Sequence, residues 1–520
     1  MAETVVRERG IQFSSNVFVN VAVFVASFFI GILLVPFFID ELGVAAYGLI
    51  PLATSATMYI VVIADSMGAA MSRFFTATMN KDDLGNANRV YSTAVVGVLI
   101  LVVALIPVMI VLAWLSPTLF DTASVPVYDV RFFFMAIFLS MLVNIAGYGF
   151  TSVLFAKNRL DYTAGTKLIQ IGLQTVLIIL FFNIYPPSLI NVGLAYVIAS
   201  IIAVLFNFVL SKKVFPSGRA KISGFDRCTF REMMSLGAWE VVDRIGLLLF
   251  LQASLIIANP LLGATEAGKF AVLVTILAAA STFSSTILSA LRPITYLKYE
   301  EGKIDEMVKI CASGSKIVGL LLAMPVAFLC VFSSQIFLIW IGPGFEELST
   351  AVWIMLFVLL GHLTMSTIIP ISTSYFKVRA RGIATVVLGA LNICLAVIFT
   401  VYFEMGITGI AVAWAISMIL KSWVFIPWYH AKLTNKNPWV FHKQLVFSII
   451  FFVSTAAIGF LINEYLTISA SIITLAVMLL VWYVVYLFIA FRTVISRSEK
   501  DLLLMCLPGR LKKIVAKIIA

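Results

Sequence analysis

A chain of 520 residues that is 62% hydrophobic and 12% charged, with a mean hydropathy of +1.08, carries more apolar surface than a water-soluble domain can bury. Its net charge of +11 would suggest nucleic acid in a soluble protein; here the lysine and arginine excess of cytoplasmic loops accounts for it, and no nucleic-acid partner is expected. The five cysteines (Cys228, Cys311, Cys330, Cys394, Cys506) form no CxxC, and His362, His430 and His442 are dispersed, so no disulfide framework, metal site or cofactor is expected.

Runs of about 20 apolar residues, the length that crosses a bilayer core, recur along the chain. The first follows Arg7 and Arg9 and extends over 11–39, too long for a signal-peptide core. It reads as an uncleaved first span with a cytoplasmic N-terminus. The spans predicted in order are 14–38, 46–71, 90–115, 131–155, 162–184, 189–210, 234–258, 269–291, 315–340, 349–371, 381–402, 407–429, 443–463 and 467–491. Turns such as "IYPPSLINVG" (184–193), "IGPGFEE" (341–347) and "LTNKNPW" (433–439) separate them.

Charge tests this count. Loops predicted to be cytoplasmic hold Arg73, Lys81 and Arg89; Lys157 and Arg159; Lys212, Lys213, Arg219, Lys221, Arg227 and Arg231; Arg292, Lys298, Lys303, Lys309 and Lys316; Lys377, Arg379 and Arg381; and Lys432, Lys436 and Lys443. Outer loops are short and acidic, with Asp40, Glu41, Asp121, Asp129, Glu266, Glu346, Glu347, Glu404 and Glu464. A missed or invented span would reverse this alternation, so both termini are predicted to be cytoplasmic. The tail "PGRLKKIVAKIIA" (508–520) gathers Leu511, Ile514, Val515, Ile518 and Ile519 on one face and reads as a basic amphipathic helix on the anionic inner leaflet.

The chain also repeats itself. "ELGVAAYGLI" (41–50) resembles "LLGATEAGKF" (261–270), with Gly43/Gly263 and Gly48/Gly268 each 220 apart. "LFAKNRLDYTAGTK" (154–167) resembles "SYFKVRARGIAT" (374–385), aligning Lys157 with Lys377 and Arg159 with Arg379 at the same spacing. "MNKDD" (79–83) resembles "EGKID" (301–305), and "INVGLAYVIAS" (190–200) resembles "GITGIAVAWAIS" (406–417). Four echoes in one order imply a duplicated six-span unit. The expected fold is an all-α polytopic membrane protein of about 14 helices: two six-helix bundles related by a pseudo-two-fold axis along the membrane normal, plus two extra C-terminal helices. The corresponding boundaries are 1–229, 230–432, 433–492 for helices 13 and 14, and 493–520 for the tail.

With "PFFIDELGVAAYGL" (36–49) and "ADSMGAAMSRF" (64–74), this arrangement resembles the polysaccharide transporter family, the O-antigen flippase-like branch of the multidrug/oligosaccharidyl-lipid/polysaccharide exporter superfamily. The resemblance covers roughly residues 10–490 through diffuse motifs. It implies a flippase that moves polyprenyl-pyrophosphate-linked oligosaccharide from the inner to the outer leaflet of the cell membrane by alternating access, through a cationic cavity. Its expected partners are that substrate, membrane lipids and the polysaccharide polymerase machinery. Two relatives in the superfamily are alternatives. A lipid II-type flippase would carry an arginine-rich first span, whereas span 1 here has Asn16, Asn20 and Ser27 and no charge. A multidrug exporter would favour acidic cavities and 12 spans. A membrane-embedded glycosyltransferase or polymerase needs a sizeable catalytic outer loop; the longest here, about 15 residues, has no catalytic constellation. No Gly-rich phosphate loop is present either, so the chain is not expected to be an enzyme.

Charges inside spans are costly and mark sites that face water or a partner. Lys167 lies in span 5, Arg244 in span 7 and Lys421 in span 12. Each suits a substrate pyrophosphate, or else snorkels to the inner headgroups. Gln170 and Gln174 follow Lys167 on one helix face and suit sugar hydroxyls or interhelical hydrogen bonds. Asp65, Glu240 and Asp243 are candidates for ion coupling, although Glu240 and Arg244 also have the i,i+4 spacing of a self-neutralising pair. His362 reads as a hydrogen-bonded packing residue.

Overall fold

The computed structural model describes residues 2–79, 84–218, 220–235, 238–465, 471–496 and 499–500. The echo at 79–83, Arg219, Cys506 and the tail at 508–520 fall wholly or partly outside the described residues, as do the side chains of Asn16, Asn20, Arg73 and Glu240. Among the described residues there are helices and no strands. In a bilayer, backbone N–H and C=O groups must find partners within their own segment, which a helix provides. Among the described residues, fourteen helices are long and apolar enough to cross a membrane, and they correspond one for one to the predicted spans. The chain is a multi-pass membrane protein.

It divides into two compact units, Met1–Ile245 with Leu255–Gly268, and Gly246–Ser254 with Lys269–Ala520. The first contains α1 (Ala2–Leu42), α2 (Val44–Met79), α3 (Leu84–Leu119), α4 (Val127–Ala146), α5 (Tyr148–Ala156), α6 (Leu160–Ile184), α7 (Leu189–Val214) and the short α8 (Arg227–Ser235). α9 (Ala238–Leu262) and α10 (Ala264–Glu300) contribute to both units. The second continues with α11 (Ile304–Val331), α12 (Ser333–Trp340), α13 (Ser349–Ser366), α14 (Ile369–Ser374) and α15 (Val378–Val397), which runs into a π-helical turn. α16 (Gly406–Met418), a π-helical stretch at Ile419–Phe425 and α17 (Ile426–Thr434) form one span, followed by α18 (Trp439–Tyr465) and α19 (Ile472–Thr493).

The last two helices pack on α11. The Tyr486 and Tyr483 hydroxyls of α19 donate to the carbonyls of Leu320 and Leu321 at 2.8 and 3.1 Å. α11 itself corrects the sequence reading. It begins at Ile304, so Lys309 and Lys316 are helical and not in a loop. Lys316 Nζ sits 2.9 and 3.1 Å from the Glu499 carboxylate and 2.8 Å from the Val494 carbonyl. A cation with its own carboxylate can enter a helix that its bare charge would exclude.

The repeated segments share backbone features. Gly43 and Gly263 both take the left-handed backbone, at φ 81° and 87°, where a side chain is strained. One turn later, a Cβ on Gly48 would lie 2.8 Å from the Gly268 Cα, and one on Gly268 would meet the Val44 carbonyl. The helix break after α4, at Gly147 (φ −71°, ψ −12°), has its counterpart after α13 at Thr367 (φ −67°, ψ −17°). The spacing then slips from 220 to 218. Asn158 (φ 56°) matches Phe376 (φ 53°), and the bond from Arg159 N to Leu154 O (2.8 Å) matches that from Lys377 N to Ser372 O (2.9 Å). The structural counterpart of Arg159 is therefore Lys377, and Arg379 stands where the first unit has Asp161. The apparent lysine and arginine identity at 220 was a coincidence of two basic turns.

The segment after α7 folds back onto the start of α3. Phe215 packs edge-on against Phe75 and Tyr91, with centroids at 5.4 and 6.2 Å. Lys221 N donates to Ser92 Oγ and Asp226 N to Thr93 Oγ1. Asp226 begins α8 by accepting from the backbone N–H groups of Thr229 and Cys228 and from the Thr229 hydroxyl, the bonding of an N-cap. Arg89 lies 3.2 Å away. The Thr229 hydroxyl, then the backbone donors and Arg89, hold this carboxyl at about 2.

Two predictions follow from these contacts. Gly268→Ala should destabilise the protein by about 1–3 kcal/mol, the usual effect of overpacking, read as a lower midpoint in detergent thermal unfolding. Gly31→Ala, which has nothing within 4 Å of its Cβ position, is the control. Because the Asp226 carboxyl is depressed from 3.8 to about 2, its contribution is complete above pH 3.8 and fades as the pH falls through about 2. Amide exchange across 220–235 should therefore stay protected to below pH 4. Asp226→Asn should loosen that protection already at neutral pH.

Candidate functional site

The first unit gathers its intramembrane polar groups around α6. Lys167 lies seven residues beyond Leu160, about 10 Å along the helix. Its side chain is exposed. Gly165 and Gly172 on the same helix have nothing within 4 Å of a Cβ position, so α6 offers open surface on either side of the lysine. Asp65, also exposed, projects from α2, and its charge acts on the Lys167 ammonium. The Tyr148 hydroxyl donates to Asp65 Oδ1 at 2.5 Å.

The helix break positions the tyrosine. Tyr148 is the first residue of α5 after the turn at Gly147. Its ring lies over Gly68, where a Cβ would stand 3.2 Å from Tyr148 Cδ2. Gly68 is three residues beyond Asp65 and therefore on the same side of α2. A small residue on one helix and a break in another thus bring hydroxyl and carboxylate together. The result is a Tyr148–Asp65 pair joining two helices, with the exposed Lys167 of a third helix within reach of the Asp65 charge.

A second polar layer joins α4, α6 and α7. Asn144 donates to Ser200 Oγ and the Ser140 carbonyl, both at 2.9 Å. Gln170 Nε2 lies 3.2 Å from Asn144 Oδ1 and 3.1 Å from Ser200 Oγ. The Ser140 and Ser200 hydroxyls are 3.0 Å apart. Thr166 donates to Asn207 at 2.8 Å. Gln170 therefore bonds across to α4 and α7, and Gln174, one turn on, is half-buried.

The remaining candidates belong to other helices. Asp243 is buried while the adjacent Arg244 is exposed; the Glu240 side chain lies outside the described residues. Lys421 belongs to the second unit, where it is 3% exposed with Nζ 5.3 Å from the Phe250 ring centre, a favourable seat for a cation. Beside it, His362 Nδ1 and Ser422 Oγ are 2.8 Å apart, the packing role expected of that histidine. Among the described residues, no group of three His, Cys, Asp or Glu could hold a metal ion.

Sequence reasoning missed Tyr148 and Ser200. A tyrosine directly after the glycine of a helix break was a usable signal. Ser200 had none, since serine is common in spans. Removing the centre of this layer with Asn144→Leu should strand Gln170 and Ser200. It should cost about 0.6–2 kcal/mol, the range of interhelical hydrogen bonds in membranes, read as thermal destabilisation in detergent.

A family model described as "Polysaccharide biosynthesis protein" matches residues 13–295, just over half of the chain. An uncharacterized membrane protein, EpsK, of Bacillus subtilis (strain 168) is 27% identical over 435 residues, covering 84% of this chain and 86% of EpsK. Among solved structures, the lipid II flippase MurJ in an inward closed conformation aligns with a TM-score of 0.63 at 16% identity, over 92% of this chain and 99% of MurJ. An inward-facing multidrug resistance MATE family transporter of the MOP superfamily also aligns at 0.63, with 15% identity, over 81% of this chain and 99% of that transporter.

Proposed function

The chain belongs to the polysaccharide biosynthesis protein family, and within it we propose a flippase that carries polyprenyl-pyrophosphate-linked oligosaccharide from the inner to the outer leaflet by alternating access. The observation that carries this reading is the exposed Lys167, set inside a span within reach of the charge of Asp65, which Tyr148 bonds. A desolvated diphosphate requires a counter-charge, and an ammonium within a span supplies it. The fold shared with the lipid II flippase and with a multidrug transporter suits movement of a large amphiphile. A cationic drug would want an acid free of a neighbouring base, whereas Asp65 has Lys167 beside it.

In this mechanism the resting Lys167 is balanced by Asp65. An arriving phosphate takes over the lysine and is repelled by the carboxylate. Asp65 is proposed as the ion-coupling group: a cation taken up there removes that repulsion, so phosphate binding and cation uptake favour each other. With both termini cytoplasmic, as the basic loops indicate, an inside-negative potential favours outward movement by about 2.3 kcal/mol per phosphate charge per 100 mV. Arg244 and Lys421 are proposed as further cations met along the path. Glu240 and Asp243 are proposed as a second ionic group. The polymerase machinery is the proposed consumer of the product.

The test is reconstitution into liposomes with a polyprenyl-pyrophosphate oligosaccharide, measuring its appearance in the opposite leaflet. Wild type should translocate it, and Lys167→Ala should lose at least about tenfold, equivalent to roughly 1.4 kcal/mol. Asp65→Asn should keep phosphate binding and make transport independent of an ion gradient. Full transport by a folded Lys167→Ala variant would overturn the proposed role of the lysine. Export of cationic dyes in place of the lipid would overturn the substrate class.

A further inference from the structure

Phe376 is 90% exposed and holds φ at 53°. The left-handed backbone suits glycine and asparagine; a bulky aromatic there is an outlier. The turn nevertheless requires it, because Phe376 N bonds the Thr373 carbonyl and Lys377 N the Ser372 carbonyl. The matching turn of the first unit uses Asn158 at φ 56°, the residue that both conformation and water favour. Neither backbone preference nor packing within the chain accounts for a phenylalanine at 376. A contact outside the chain does.

The surroundings say what that contact is. The turn separates two candidate spans, Glu346–Ser374 and Val378–Tyr402, so it lies at headgroup level whichever way the chain is oriented. On α15, exposed Arg379, Ile383 and Val387 follow at intervals of four and share one side of the helix. This is an apolar stripe with a cation at its headgroup end. The Tyr429 hydroxyl donates to the Lys377 carbonyl at 2.7 Å, which brings α17 alongside. Its Trp428 is half exposed, with Lys432 Nζ 5.4 Å from the ring centre. Segments 369–381 and 426–434 contain no Asp or Glu. In the first unit, Arg159 is instead neutralised by Asp161 at 2.9 Å and stacks on Tyr162.

We propose that the α14–α15 turn is a lipid-interface anchor. Phe376 and Trp428 enter the headgroup–acyl boundary of an anionic leaflet, and Lys377, Arg379 and Lys432 contact lipid phosphates. Aromatic rings and basic side chains are the residues that bilayer interfaces retain. The anchor is specific to the second unit, since the first carries a polar, self-neutralised turn at the same place.

The experiment places an environment-sensitive fluorophore at Phe376→Cys, in a chain also carrying Cys228→Ser, Cys394→Ser and Cys506→Ser. The labelled protein is reconstituted in phosphatidylcholine nanodiscs with and without phosphatidylglycerol. Lipids carrying a shallow spin label should quench it several-fold more than the same fluorophore at Asn158→Cys. Quenching by aqueous iodide equal to that at position 158 would overturn the insertion and leave a protein partner as the occupant. A second measurement uses the native side chain. Phe376→Asn should raise the thermal midpoint in detergent by relieving the turn, and should lose most of the stabilisation that phosphatidylglycerol gives the wild type. Retention of that full increment would overturn the role of the anionic leaflet.

Discussion

A charge or a bare peptide group cannot stay unpartnered in hydrocarbon, and most of what distinguishes this chain answers that constraint. Helices satisfy the backbone. Asparagine, glutamine and serine on α4, α6 and α7 satisfy one another. Lys316 has a glutamate, and Lys421 rests on a phenylalanine ring. Against that background Asp65 and Lys167 stand out. Both are exposed and each lies within reach of the other's charge, while the Tyr148 hydroxyl bonds Asp65. A pair of that kind can be opened by a competing ion at less cost than a sealed one.

The site therefore rests on small residues as much as on charged ones. Gly68 admits the Tyr148 ring and Gly147 ends α4, so the hydroxyl reaches a carboxylate from another helix. In the second unit, Gly246 and Gly389 play a comparable part. A Cβ on Gly246 would lie 2.8 Å from Val386 N, and one on Gly389 would lie 2.9 Å from the Gly246 carbonyl. The close approach lets Asn392 bond the carbonyls of Leu249 and Phe250 and the Ser254 hydroxyl.

Spans were legible because hydrophobic length is nearly the whole signal, and loop charge checks the count. The glycine pairs at spacing 220 were also legible, because a left-handed turn or a close helix contact leaves few alternatives. The basic turns were not. Lysine and arginine are common at every inner boundary, so a match between two of them carries little information, and the slip to 218 is recorded only in backbone angles and hydrogen bonds. Lys167 could be picked out by its depth in a span. Its company could not, since Asp65 and Tyr148 are 102 and 19 residues away in sequence and meet through packing.

The π-helical stretch at Ile419–Phe425 has a consequence for the two copies. The sixth span of the first unit, Leu189–Val214, has 26 residues, while its counterpart, Gly406–Thr434, has 29. The wider turn lodges surplus chain in the wall of the helix and not in a loop. Such an insertion turns every side chain beyond it to a new bearing without moving the ends of the span. Lys421 and Ser422 lie within it, and both are buried. A duplicated helix can in this way change what it shows to its neighbours by adding length alone, and descendants of one ancestral segment can diverge in chemistry while their connections stay in place.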